Sequence, residues 1–229
     1  MFKLENIRAA FKAALPIILG YVAIGIPCGI LSASIGMNVL QVFMMCALFY
    51  SGAGQFMIPN MWIAGAPIAS IILSVSFVNT RQMLYSAAFA PWLENASKRL
   101  TFWFAATVTD ESFGVNMQQF EQGGWTAQRA TLVNLFSQTS WTVSCIVGVL
   151  IGNAISIPLA IAAFAMTSIF ICLLVTQELK PANIVAAACA MAGVFACKLV
   201  GLAGPAIFIG AVIGVACAIL FSRVKEAGR

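Results

Sequence analysis

Histidine is missing altogether from this 229-residue chain. With it go the commonest metal ligand, the easiest proton relay and most triad chemistry. The motifs GxSxG and HExxH are absent as well, so an enzyme would have no recognisable nucleophile with its base and no metal ligands. Charge is scarce: 8% of the residues are charged, against roughly a quarter in an ordinary soluble domain. That excludes a soluble globule. Without a soluble basic domain, the net charge of +5 does not point to nucleic acid either. Seven cysteines are present (Cys28, Cys46, Cys145, Cys172, Cys189, Cys197 and Cys217), with no CxxC pair among them. They lie in or beside apolar segments, where a thiol behaves as a small hydrophobe. No metal, no cofactor and no catalytic role is expected.

What the chain has in abundance is apolar length, with 62% of its residues hydrophobic. Runs of about 20 residues recur from Leu15 almost to the end, each long enough to cross a hydrocarbon core of about 30 Å. They are apolar on all sides, whereas a β-barrel strand alternates over about 10 residues. The predicted class is all-α: a polytopic helical membrane protein with about eight membrane segments, some of them broken or half-length.

Basic residues near span ends set topology. Lys3, Arg8 and Lys12 precede the first run, and Arg223, Lys225 and Arg229 follow the last, which places both termini in the cytoplasm and requires an even number of crossings. Residues 1–14 put Phe2, Ile7, Ala10, Phe11 and Ala14 at helical spacing with the three basic residues between them, the pattern of an interfacial amphipathic helix. A cleaved signal peptide is the alternative, but Leu15 to Gly36 outlasts a signal h-region and further spans follow, so the segment is read as retained. Residues 15–222 then form one transmembrane domain and residues 223–229 a basic tail. Glycine-rich openings near Leu15 and Ala130 suggest a faint duplication, 15–120 and 130–222.

The first span, Leu15 to Gly36, carries Gly25-x-x-x-Gly29, a face for close helix approach that could await a separate subunit. The second, Val39 to Ile58, ends in Tyr50-Ser51-Gly52-Ala53-Gly54-Gln55-Phe56; this reads either as an interrupted helix lining a cavity or as a tight packing contact. Met61 to Leu93 is too long for one straight span, and a break at Asn79-Thr80-Arg81-Gln82 would divide it. Leu100 to Phe120 either crosses or is re-entrant. The remaining spans are Ala130 to Asn153, Pro158 to Thr176, Pro181 to Val200 and Gly204 to Ser222, with Gly201 to Pro205 turning the last two into a tight hairpin.

Arg81 is the only charge between Met61 and Leu93. An Arg in an apolar membrane segment is expensive and marks a functional site. A second island, Thr107 to Ser112, supplies Asp110 and Glu111. Arg81 can bind a carboxylate through two parallel hydrogen bonds, with Asn79, Ser51, Gly52, Gly54 and Gln55 around it. Asp110 or Glu111, with Thr109, can take an ammonium or carry a coupling proton. The competing reading is that Arg81 and Asp110 merely neutralise each other.

Ser51-Gly52-Ala53-Gly54-Gln55-Phe56, then Asn79-x-Arg81, then Thr109-Asp110-Glu111, in this order behind a basic amphipathic start, resemble the AzlC family of bacterial branched-chain amino acid exporters. The resemblance covers the chain to about Trp141, and Gln82 stands where family members often carry His. It implies proton-coupled export of branched-chain amino acids such as valine across the bacterial inner membrane, with a small hydrophobic partner subunit of the AzlD type. A non-transporting scaffold or accessory subunit is the other class, but a scaffold has no need of an intramembrane Arg beside two acids.

Overall fold

A computed structural model describes residues 4–155, 180–201 and 206–227, with isolated positions 158, 164, 167, 168, 171 and 175 between the first two segments. The described residues form helices and no strands. Two compact units divide the chain, Met1–Asn60 with Val78–Met166, and Met61–Phe77 with Thr167–Arg229.

The first unit is built on two long helices. Helix α1, Leu4–Ser34, has 31 residues and is about 46 Å long at 1.5 Å per residue, so the basic amphipathic segment and the first span are one continuous helix. Helix α8, Ala127–Ala154, packs along it. The contact is made by missing side chains. A Cβ on Gly29 would overlap the Cys145 carbonyl and come 2.8 Å from the Gly148 Cα; one on Gly148 would overlap the Ile26 carbonyl; one on Gly25 would lie 2.7 Å from the Ser144 Cβ. Gly152 faces Ile30 and Ala33 in the same row. The Gly25 and Gly29 face is therefore filled within the chain by α8, from Trp141 and Ser144 to Gly148 and Val149, not left open for another subunit. Two small-residue stripes on neighbouring helices satisfy each other by backbone contact, and the Ser140 hydroxyl adds a hydrogen bond to the Ile18 carbonyl at 3.1 Å.

Against this pair lie short helices. α2 is Val39–Leu48 and α3 Gly52–Ile63, 10 and 12 residues, each reaching about half of a ~30 Å core. Asn38 and Gln41 form a capping box at the start of α2, and the interruption at Phe49–Ser51 falls in the glycine-rich stretch that reads as broken. α4, Ile68–Ala88, is different: it runs unbroken through Asn79, Thr80, Arg81 and Gln82, so the break expected there does not exist. Those four residues keep their backbone donors and tolerate helical dihedrals. The chain turns instead at Gly65, φ +72°, before Pro67, and again around Phe89 before Pro91, where the single turn α5, Ala90–Leu93, begins. α6, Lys98–Thr107, and α7, Asp110–Gln122, are 10 and 13 residues and meet at Val108 and Thr109, so Leu100 to Phe120 is two half-length helices.

Phe89, Leu93, Phe104, Val108, Phe120 and Ala130 form an apolar cluster joining α5, α6, α7 and α8. Phe89 is its centre, with its ring 4.9 Å from Phe104, 5.2 Å from Phe113 and 5.7 Å from Phe120. Beside the cluster, Asn116 donates to Asn134 Oδ1 at 3.0 Å and Asn134 to the Phe104 carbonyl at 3.2 Å. With Trp125 donating to Asn116 at 3.2 Å, the polar groups of this knot are paired, which burial requires.

In the second unit α9, Pro181–Leu199, packs on α10, Ala206–Ala227. Gly193 meets Gly210, and Gly214 meets Ala186 and Ala190. Gly201, φ +80°, begins the connection; residues 202–205 of the expected hairpin, and the expected span Pro158 to Thr176 as a continuous element, lie outside the described residues.

Three described helices are long and apolar enough to cross a membrane, α1, α8 and α9; α2 and the Ile209–Val224 stretch of α10 are shorter apolar helices. Large side chains such as Leu48, Leu73, Leu84 and Leu199 are at least 70% exposed. In water such a surface would aggregate; in a bilayer it is the face that lipid solvates. The chain is a helical membrane protein.

Candidate functional site

A broken helix leaves carbonyls at its C-terminal end without partners, and in lipid no water replaces them. At the α2–α3 break three glutamines do so. Gln55 folds back to donate to the Phe49 carbonyl at 2.6 Å and the Met45 carbonyl at 3.4 Å. Gln138 reaches the Cys46 carbonyl at 3.2 Å, and Gln82 the Tyr50 carbonyl at 3.1 Å. Gln55 is fully buried, and its oxygen accepts from the Trp141 indole at 2.6 Å and the Cys46 thiol at 3.5 Å. Ser51 opens α3: its hydroxyl accepts from the Gly54 N–H at 3.1 Å and donates to Asn79 Oδ1 at 2.6 Å. A Cβ on Gly54 would come 2.9 Å from both the Phe49 ring and the Ser51 hydroxyl, whereas one on Gly52 would only touch Trp141 at 3.5 Å.

At the α6–α7 break the carbonyls of Trp103, Phe104 and Ala105 are met by Thr107 at 2.5 Å, Asn134 at 3.2 Å and Ser86 at 3.3 Å. Thr109 starts α7, its N–H donating to the Ser112 hydroxyl at 2.9 Å. Asp110 and Glu111 occupy the first turn, where the helix dipole favours negative charge.

These breaks converge on the middle of α4. Arg81 forms a 2.8 Å ion pair with one Asp110 oxygen, and the Tyr85 hydroxyl donates to the other through a very short hydrogen bond. The two charged side chains are 28% and 21% exposed. The Nε of Arg81 is buried without a partner. Glu111 accepts from the Tyr21 hydroxyl at 2.7 Å, and that hydroxyl also lies 2.9 Å from the Thr109 hydroxyl. Tyr50 is 6% exposed, its hydroxyl has no hydrogen-bond partner, and Tyr21, Thr109 and Glu111 are among its polar neighbours. A cavity of about 500 Å³ opens between α4 and α6, with Asn79, Gln82 and Ser86 as its polar wall and Met83, Phe102, Ala105 and Ala106 as its apolar wall.

Of the residues singled out from sequence, the structure joins Ser51 to Asn79, Arg81 to Asp110, and Thr109 with Glu111 through Tyr21. Of these residues only Asn79 lines the cavity; Gln55 and Gly52 lie against Trp141. The tyrosines were missed, although a signal existed. The chain has 17 Phe and three Tyr, and all three tyrosines, Tyr21, Tyr50 and Tyr85, gather at the acidic island.

Half-length helices whose ends surround an ion pair within an apolar bundle define the class: a helical membrane protein with a polar site built from broken helices, as in secondary transporters. The chain belongs to the AzlC family, whose description, AzlC protein, matches residues 16–155. An uncharacterized membrane protein of Helicobacter pylori is 28% identical over 79% of this chain and 79% of its own length. An uncharacterized membrane protein of Haemophilus influenzae is 25% identical over 77% and 72%. The branched-chain amino acid transport protein AzlC of Bacillus subtilis is 25% identical over 76% and 68%. No solved structure matches the chain.

Proposed function

We propose that this chain is a secondary transporter that exports branched-chain amino acids across the bacterial inner membrane, driven by protons and assembled with a small AzlD-type subunit, with both termini in the cytoplasm. The observation that carries the reading is the Arg81–Asp110 pair, which joins the middle of α4 to the first turn of the half-length helix α7. Charges inside an apolar bundle are kept where they are used. A zwitterionic amino acid can insert into this pair, its carboxylate on Arg81 and its ammonium on Asp110, so that neither buried charge is left bare. The unpartnered Arg81 Nε leaves a donor for the carboxylate, and Asn79, bonded to Ser51 at the start of α3, stands two residues before it on α4. The open groove between α4 and α6, lined by Asn79, Gln82 and Ser86 with Met83, Phe102, Ala105 and Ala106 and not by Arg81 or Asp110, is a polar and apolar path on another face of the same helix. Gln55 serves by holding the break. The name of the Bacillus subtilis relative supports the substrate class.

The test is efflux of labelled valine, leucine and isoleucine from vesicles carrying the chain with a co-expressed partner subunit, under an imposed pH gradient. Arg81→Lys keeps the charge but loses the planar fork, and should weaken apparent affinity by one to two decades, the equivalent of about 1.5–3 kcal/mol. Efflux no faster than from vesicles holding the partner alone would refute the exporter and leave an accessory subunit.

A further inference from the structure

We propose that Glu111, and not Asp110, is the carboxyl that takes up the coupling proton, with the Tyr21 and Tyr50 hydroxyls as its immediate partners; this rests on the proton-driven reading above. Asp110 is fully engaged, one oxygen on Arg81 at 2.8 Å and the other on the Tyr85 hydroxyl. A proton there would neutralise the carboxylate that balances Arg81 and strand the guanidinium. Glu111 has no cation of its own. Its one hydrogen bond among the described residues comes from Tyr21 at 2.7 Å, and its side chain keeps an exposed flank through which a proton can arrive.

The groups that face Glu111 are Tyr21 from α1, Tyr50 from the α2–α3 break, Tyr85 and Arg81 from α4 by way of Asp110, and Thr109 on its own turn. Two adjacent carboxylates therefore stand beside one guanidinium, which pairs with Asp110 alone. Arg129 is committed elsewhere, to Glu5 at 3.5 Å and to Asn6 at 2.8 Å. A proton on Glu111 neutralises the second carboxylate without disturbing the Arg81 pair. The new carboxyl O–H needs an acceptor, and the Tyr50 hydroxyl, buried and unpartnered, offers its oxygen while Tyr21 continues to donate. One proton is bound from one side of the membrane and released to the other, and no other bond changes.

Infrared difference spectra of the purified protein, recorded between acid and alkaline pH, test this without any transport. The wild type should show a protonated-carboxyl band that disappears as pH rises. Glu111→Gln should lack that band, Asp110→Asn should keep it, and Tyr50→Phe should shift its frequency. Glu111→Asp should restore a band, which separates loss of the group from misfolding. In vesicles, valine flux through Glu111→Gln should no longer depend on the pH gradient. A band that survives in Glu111→Gln and vanishes in Asp110→Asn, or no titrating band at all, overturns the assignment. A band assigned to Glu111 in a protein that moves no amino acid would sink the exporter reading and the coupling role with it, leaving Glu111 only as the titrating carboxyl.

Discussion

Replacing Gln55 by leucine keeps the side-chain volume and removes the amide that spans the α2–α3 break. Two strong contacts go: the Trp141 indole N–H and the Phe49 carbonyl, each 2.6 Å from the amide, are left without partners. The contacts to Met45 and Cys46, at 3.4 and 3.5 Å, are long enough to count for little. A buried group left unpaired costs about 1–3 kcal/mol, and apolar contacts of the new leucine return part of that, so the net loss should be about 2–4 kcal/mol. For a chain of this size each kcal/mol is worth roughly 2–4 °C, so thermal unfolding, followed by tryptophan fluorescence in detergent, should begin roughly 4–16 °C earlier. Affinity for valine in the protein that remains folded should stay within about threefold, roughly 0.7 kcal/mol. Adding Trp141→Phe removes the orphaned donor and should return part of the loss, which a double-mutant cycle will register as coupling. Unchanged unfolding together with a tenfold loss of affinity would refute this reasoning and make Gln55 a substrate contact.

Arg81→Gln alone should destabilise by about 3–5 kcal/mol because it strands the Asp110 carboxylate; the pair Arg81→Gln with Asp110→Asn should recover stability yet not bind valine, and a double mutant with near-normal affinity would remove Arg81 from the site. Gly29→Ala drives a methyl into the Cys145 carbonyl and should lower stability by about 1–3 kcal/mol; Gly20→Ala, whose Cβ meets nothing within 4 Å, should gain about 0.5–1 kcal/mol, and equal effects at the two positions would show that α1 and α8 are not in backbone contact. Cysteines introduced at Lys3 and Lys225 in a background without native cysteines should label from the cytoplasmic side only, and labelling of either from the periplasm would end the even-crossing topology.

The ion pair could be read from the sequence because charge is so rare in this chain. One Arg and two adjacent acids in apolar runs had few other partners available, and the structure brings Arg81 onto Asp110 at 2.8 Å. The interruption near Ser51 was legible for a related reason, since two glycines with a serine at membrane depth weaken a helix locally. Asn79 to Gln82 carry polarity without a break. A polar side chain alters what a helix face must meet, while only a lost donor or unusual dihedrals alter whether the helix continues, and α4 continues. The glycine stripes were visible singly, but pairing Gly25 and Gly29 with Gly148 and Gly152 requires knowing that α1 lies on α8, a contact separated by more than half the chain. Least legible was the hydroxyl lining. A tyrosine in an apolar run is indistinguishable from a core aromatic until its neighbours are known, and here they are Glu111, Thr109 and Asp110. Phenylalanine fills the other positions at no risk of an unpaired hydroxyl in lipid, so a tyrosine survives selection only where its hydroxyl is used. Tyr50, whose hydroxyl alone among the three is unpaired, is the one that the proposed protonation of Glu111 would give a partner, and Tyr50→Phe should therefore cost little stability while shifting the Glu111 carboxyl band.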